Sequence, residues 1–248
     1  MNRTWHLRIR KTHRYLGLFI GIQFLLWTVG GLYFRWSNLD DIHGDPLKRP
    51  AGAMPLSLSL VSPLVAMRQL SQQTGVDSLI SVQLIEILGQ PLYQITCRMQ
   101  PGNGPATTNV QLADARTGQL RGELTKTEAI AVAKRRFAGG SAVRPSAVEQ
   151  VEYLTKTNGN YEYREKPLPA YAVTFRQPAH ATVYVAAELG TVQTVRTDPW
   201  RVFDLLWMLH TMDYEGRDNI NNYLLRAFSV LGPLTVVSGF TLYFVSSP

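Results

Sequence analysis

One cysteine, Cys97, is the entire thiol inventory of this 248-residue chain. No internal disulfide can form, so an oxidising compartment is permitted but the fold must be held by its hydrophobic core. The absence of CxxC and CxxCH argues against thiol exchange and covalent haem c attachment. A glycine-rich phosphate loop, an H-E-x-x-H pair and a nucleophile elbow are missing too, which removes the commonest nucleotide-dependent, zinc-hydrolase and serine-hydrolase signatures. Charge is absent from two long stretches, Tyr15 to Phe34 and Ala227 to Val245. As helices rising about 1.5 Å per residue, each is long enough for a hydrocarbon core of roughly 30 Å. Neither has the polar stripe of a surface helix, so both are expected to span a membrane.

The first run follows Arg3, Arg8, Arg10, Lys11 and Arg14, a basic region that also suits a cleaved signal peptide. Its apolar stretch is too long for one, and the exit Arg35-Trp36-Ser37-Asn38 lacks small residues at a cleavage site, so a retained anchor is expected. Five cations before the span, with Asp40, Asp41 and Asp45 after it, put the N-terminus in the cytoplasm. Two spans return the C-terminus there and leave residues 35–226 in the periplasm. Arg217 and Arg226 on the loop side of the second span oppose this, but the first helix usually sets the orientation. Outside the arm, 20 Lys and Arg face all 18 Asp and Glu, leaving +2 of the overall +7. The basic pI of about 9.6 therefore reflects topology. It predicts no nucleic-acid partner, which would need a concentrated basic face. Lys134-Arg135-Arg136, the one dense cluster, ends a predicted helix, where cations suit the dipole.

Between the spans the pattern repeats. Residues 35–56 are rich in Asp, Gly and Pro and read as a linker after the arm (1–14) and first span (15–34). The first unit, 57–122, opens with a helix from Ser62, with Ser62 as cap, Pro63 at its first position and Gly75 at its stop. Strands are predicted at 78–87, 91–99 and 108–113, then a turn at Thr117-Gly118. The second unit, 123–198, opens with the capping box Thr125 to Glu128, continues through Ala129, Ile130, Ala133 and Phe137, and stops at Gly139-Gly140. Its strands are predicted at 147–154, 170–176 and 181–187. PLYQIT (91–96) echoes PAYAVT (169–174), and ADARTG (113–118) echoes AAELG (186–190). The expected architecture is membrane-anchored α+β, with two helix-plus-antiparallel-meander units between the spans. Asp198 caps and Pro199 opens a further helix, 199–216, with Phe203, Leu206, Trp207 and His210 on one face. That pattern predicts an amphipathic helix lying at the membrane interface, ending at Gly216 before the last span within 219–245.

KTHRYLGLFIGIQFLLWTVGGLYF (11–34) and LLWMLHTMDYEGRDNINN (205–222) resemble the first span and the Leu-His approach to the last span of the PepSY-associated transmembrane family. The helix-plus-meander repeat resembles the PepSY module. Larger relatives have four spans, and some are inner-membrane ferric-siderophore reductases with b-type haem on membrane histidines; this chain has two. The resemblance implies a bacterial inner-membrane protein, an accessory or electron-transfer component of iron, siderophore or other redox metabolism. It implies His13 and His210 as haem b ligands. The alternative function is a non-enzymatic periplasmic interaction module or structural subunit.

Placed at opposite membrane faces, His13 and His210 cannot share one iron. His6 and His13 lie on one helix and cannot sandwich one, while His43 and His180 fall in polar loop-like sequence. A second ligand would then come from another copy or a partner membrane subunit. Gly17 and Gly21 form a G-x-x-x-G that permits close helix approach in lipid, so self-association is expected. Asp40, Asp41, His43 and Asp45 have metal-ligand chemistry but read first as an acidic linker. Met208 and Met212 flank His210 as soft donors that more often pack.

Overall fold

A computed structural model describes residues 3–50, 52–73, 75–100, 104–137, 147–157 and 161–246. In chain order the elements are α1 (Arg3–Trp36), α2 (Leu39–Ile42), α3 (Leu64–Ser71), β1 (Val76–Ile87), β2 (Gln90–Met99), β3 (Thr107–Asp114), β4 (Leu120–Arg121), α4 (Lys126–Arg136), β5 (Val148–Leu154), β6 (Ala170–Phe175), β7 (Thr182–Ala186), β8 (Val192–Arg196), α5 (Asp198–Thr211) and α6 (Tyr223–Ser246). They fall into two compact units: a helical one, up to Ile42 and from Pro199 onward, and a sheet-bearing one, His43–Asp198.

The sheet-bearing unit holds two four-stranded antiparallel meanders, β1-β2-β3-β4 and β5-β6-β7-β8. Each carries one strand more than its sequence predicts. β4 is only two residues long, and β8 hides in a Thr- and Gln-rich stretch just before a helix start. The internal echo corresponds to a repeated hydrogen-bond skeleton. Ala115 N–H donates to the Pro91 carbonyl at 3.1 Å, and Ala187 to that of Pro169 at 2.9 Å. A residue two or three positions ahead of each helix donates back to the same alanine: Val61 to Ala115 at 3.0 Å, Leu124 to Ala187 at 2.9 Å. Gly118 and Gly190 close the final hairpin of each meander in left-handed conformation, φ +76° and +69°. The reason for glycine is local. A Cβ would sit 2.6 Å from Val65 Cγ1 at Gly118 and 2.1 Å from Ile87 Cδ1 at Gly190.

α3 packs on the first sheet through Ala66 and Leu70, against Tyr93, Ile95, Ala113 and Ala115. The main core is different in kind. It joins Ala129, Val132, Ala133 and Phe137 to Val173, Phe175, Val183, Val185 and Val195, and also recruits Ile87, Leu92 and Leu112 from the first sheet. The two repeats therefore share one interior. The α4 capping box is complete: Thr125 Oγ1 accepts from Glu128 N–H, and the Glu128 carboxylate accepts from Thr125 N–H at 2.9 Å. α3 is less well started. Ser62 Oγ is 3.4 Å from Leu64 N, and the helix stops at Ser71, short of Gly75. Thr74 and the predicted stop at Gly139-Gly140 lie outside the described residues.

In the helical unit, Leu7–Trp36 of α1 and Tyr223–Val245 of α6 are long and apolar enough to cross a membrane. The basic arm is the first turns of α1, in one continuous helix of 34 residues. α6 runs unbroken through Pro233. α5, the helix expected at the membrane interface, meets α1 through side chains near both of its ends. Gln23 Nε2 donates to the Leu209 carbonyl at 2.9 Å, Trp27 Nε1 to that of His210 at 3.0 Å, and Tyr33 Oη to that of Pro199 at 3.3 Å. Gln23 and Trp27 thereby satisfy two orphan carbonyls of the last turn of α5. The helix also ends at Thr211, ahead of Gly216, because Met212 enters a left-handed conformation, φ +54°.

Candidate functional site

α1 and α6 pair antiparallel, with Phe19 and Ile20 near Phe228 and His13 near Gly239. α1 comes close to α6 at Gly232 and Gly239: a Cβ there would lie 3.2 Å from Phe24 Cζ and 3.1 Å from His13 Cε1. These glycines are seven positions apart, two turns of one helix face. That spacing was legible in the sequence, but the G-x-x-x-G of α1 overshadowed it. Gly17 and Gly21 play no part in this pairing, since a Cβ at either would meet nothing within 4 Å. They leave open space one and two turns along from His13.

His13 is half-buried, with Nδ1 2.7 Å from Ser238 Oγ. The same hydroxyl lies 2.7 Å from the Thr235 carbonyl oxygen, and it has one proton to give. Given to Thr235, it leaves Nδ1 as the donor and the Nε2 lone pair free, the arrangement in which a histidine ligates a metal; given to Nδ1, it leaves Nε2 protonated. Ser238 was not singled out from sequence, because a serine inside an apolar run commonly bonds only its own helix backbone.

His210 occupies a different setting near the end of α5. Its ring lies 6.0 to 6.2 Å from those of Phe34, Trp27 and Trp207, stacked on Trp207 with 15° between planes, and the residue is exposed. The predicted shared face of Phe203, Leu206, Trp207 and His210 therefore forms, and meets Phe34 and Gly30 of α1. Its anchor on α1 is Trp27, 14 positions beyond His13, about 21 Å at 1.5 Å per residue. The two histidines are not brought together.

The link from α5 to α6 is strongly ordered. Asp213 accepts from Gly216 N–H at 3.0 Å and Asn219 N–H at 2.8 Å, and Arg217 pairs with Asp204. Asn222 caps α6 by accepting from Leu225 N–H at 2.8 Å, while its amide donates to the Thr211 carbonyl at 2.8 Å. Met212 is buried against Ile20 and Phe228.

Of the remaining candidates, Asp40, Asp41 and Met208 lie in the helical unit and the others in the sheet-bearing unit or outside the described side chains. His6's side chain is among the latter. His180 sits between Glu149 and Asp198, 3.6 Å from each, and among the described residues no group of three or more His, Cys, Asp or Glu is placed to hold a metal. Asp45 is held below the usual carboxylate range chiefly by its hydrogen bond to Lys48, 2.6 Å away. Burial pushes the Cys97 thiol up, away from reactive thiolate. A cleft of about 200 Å³ beside Arg121 is bordered by Glu123 and Glu188. Burial and the neighbouring Glu123 raise the Glu188 carboxyl, while burial and a hydrogen bond to Glu123 take the Tyr153 phenol up to about 12. No family model, curated protein or solved structure matches the chain.

Proposed function

We propose that this chain is a membrane-anchored accessory or electron-transfer component of iron, siderophore or other redox metabolism in a bacterial inner membrane. In this reading α1 and α6 cross the bilayer, the arm of α1 is cytoplasmic and the sheet-bearing unit periplasmic. The observation that carries it is the contact of His13 Nδ1 with Ser238, which holds the ring and, with the serine proton on Thr235, leaves the Nε2 lone pair for a ligand. His13 and His210 would each hold one haem b iron from one side. Haem supplies a one-electron carrier when bound; the residues here orient the ligating rings and surround them with apolar and aromatic groups. With about 21 Å between the two positions, the second axial ligand must come from another copy or a partner membrane subunit. The open face at Gly17 and Gly21, beside His13, suits such an approach.

The test is the absorption spectrum of the full chain purified in detergent from haem-supplemented cells. The reading expects a Soret band that sharpens and shifts on dithionite reduction, partial loss in His13→Ala, and loss of self-association in the Gly17→Leu, Gly21→Leu double variant. A colourless protein, still colourless after co-expression with neighbouring membrane subunits, removes it. A second reading, a PepSY-like interaction module, is favoured by the edge strand β1. That strand exposes Leu79 (48 %), Ile80 (52 %) and Leu84 (40 %) on an outer edge that can accept a further strand. Protection of β1 amides from hydrogen exchange in native membranes, but not in isolated 43–198, is its expected signature.

A further inference from the structure

The pairing of α1 with α6 is offset at one end. From the level where His13 meets Ser238 and Gly239, α6 continues through Phe240 to Val245 without a charge. Alongside, α1 runs back antiparallel through Lys11, Arg10 and Arg8, with Arg14 one residue the other way. These four cations are exposed, and among the described residues none has an ion-pair partner. No acidic residue precedes Asp40, and none follows Asp218. At the same level α6 presents an apolar groove of about 460 Å³ lined by Val236, Gly239, Phe240, Tyr243 and Phe244.

Cations level with an apolar, aromatic helix face form an amphiphile-shaped surface. In a bilayer they must extend toward the headgroups or draw a counter-charge to themselves. We infer that this end of the helix pair binds an anionic phospholipid, its phosphate on Arg10, Lys11 and Arg14 and an acyl chain along the α6 groove. Basic clusters at the end of a spanning helix recognise anionic lipid in this way, each cation strengthening binding roughly fivefold. A free phosphate ion would use the cations alone and leave the groove idle. The inference rests on the reading that α1 and α6 span a membrane.

Native mass spectrometry of the full chain, extracted from vesicles in mild detergent, tests it with phosphatidylglycerol and phosphatidylcholine of identical acyl chains. Phosphatidylglycerol should be retained at least roughly 25-fold more tightly, the effect of two cations. Arg10→Gln, Lys11→Gln and Arg14→Gln together should bring it to the phosphatidylcholine level. Phe240→Ala with Phe244→Ala should weaken both lipids alike, since that change removes groove and not charge. Equal retention of the two lipids by the unmodified chain overturns the site while leaving the spans intact. Displacement of phosphatidylglycerol by millimolar inorganic phosphate also overturns it, because only the ion would then be recognised. A chain that inserts into neither vesicle defeats the spanning reading itself, and the site with it.

Discussion

The two repeats of the sheet-bearing unit share a skeleton and differ in what they bury. Matching alanines, prolines and hairpin glycines make the same backbone hydrogen bonds in both. Yet β7 is buried at all five positions, whereas its counterpart β3 is buried at only two of eight. The first repeat rests a short, weakly capped helix on a small cluster and leaves an apolar cleft of about 170 Å³ beside Met67, Leu70 and Cys97. The second has a properly capped helix over a large interior, and borrows Ile87, Leu92 and Leu112 from the first. Turn geometry and backbone pairing are thus retained between the repeats while side-chain volume diverges. A hydrogen-bond skeleton tolerates many side chains, but a packed interior must fill its own space.

The sharpest way to break this asymmetry is to truncate the two cores. Phe137→Ala, which removes a ring stacked at 5.3 Å on Phe175, should cost about 3–5 kcal/mol in denaturant unfolding. Leu70→Ala should fall near the lower end of the roughly 2–5 kcal/mol range, because its neighbours border an existing cleft and lose fewer contacts. Equal losses would contradict the unequal packing.

The shared skeleton is probed by Gly118→Ala and Gly190→Ala. Both residues have positive φ and occupied space where a Cβ would stand, so each substitution should destabilise by about 1–3 kcal/mol. Tolerance at one site and not the other would break the correspondence of the hairpins.

Unequal capping predicts a smaller difference. Thr125→Ala should cost about 1 kcal/mol, and Ser62→Ala clearly less, since Thr125 Oγ1 also donates to the Glu128 carboxylate at 3.0 Å while Ser62 has a single contact of 3.4 Å.

The smallest effect is a pH dependence confined to the second repeat. Burial alone would raise the Glu128 carboxyl, but hydrogen bonds from Thr125 N–H and Arg121 outweigh it and hold the group below its ordinary 4.5. A depressed carboxyl stabilises the fold above its unfolded pKa and loses that contribution as pH falls through the folded value. The melting-temperature gap between the native protein and Glu128→Gln should therefore be full at neutral pH and close as pH drops below about 4.5.

Much of this was readable beforehand where the signal is local. The T-x-x-E box, the glycine turns and the PLYQIT and PAYAVT echo each report nearest-neighbour chemistry, and each has its structural counterpart. The partner of α5 was not readable, because an amphipathic face looks the same whether it meets headgroups or the Gln23 and Trp27 side chains of another helix. Ser238 and Gly239 were missed for a related reason: their contact with His13 spans 225 positions. The sharing of one core by two repeats is likewise long-range, and nothing in either repeat alone announces it.

That shared core is tested most directly by equilibrium unfolding of residues 43–198, followed in one titration by far-ultraviolet circular dichroism and by thiol labelling of Cys97. The cysteine is buried in the first repeat, 2 % exposed, and is the only thiol in the chain, so its labelling reports that repeat alone. Coincident midpoints are the predicted result, because Ile87, Leu92 and Leu112 cannot leave the common interior without exposing the second repeat. Labelling of Cys97 well before the loss of dichroism would show two separately stable halves and contradict the account.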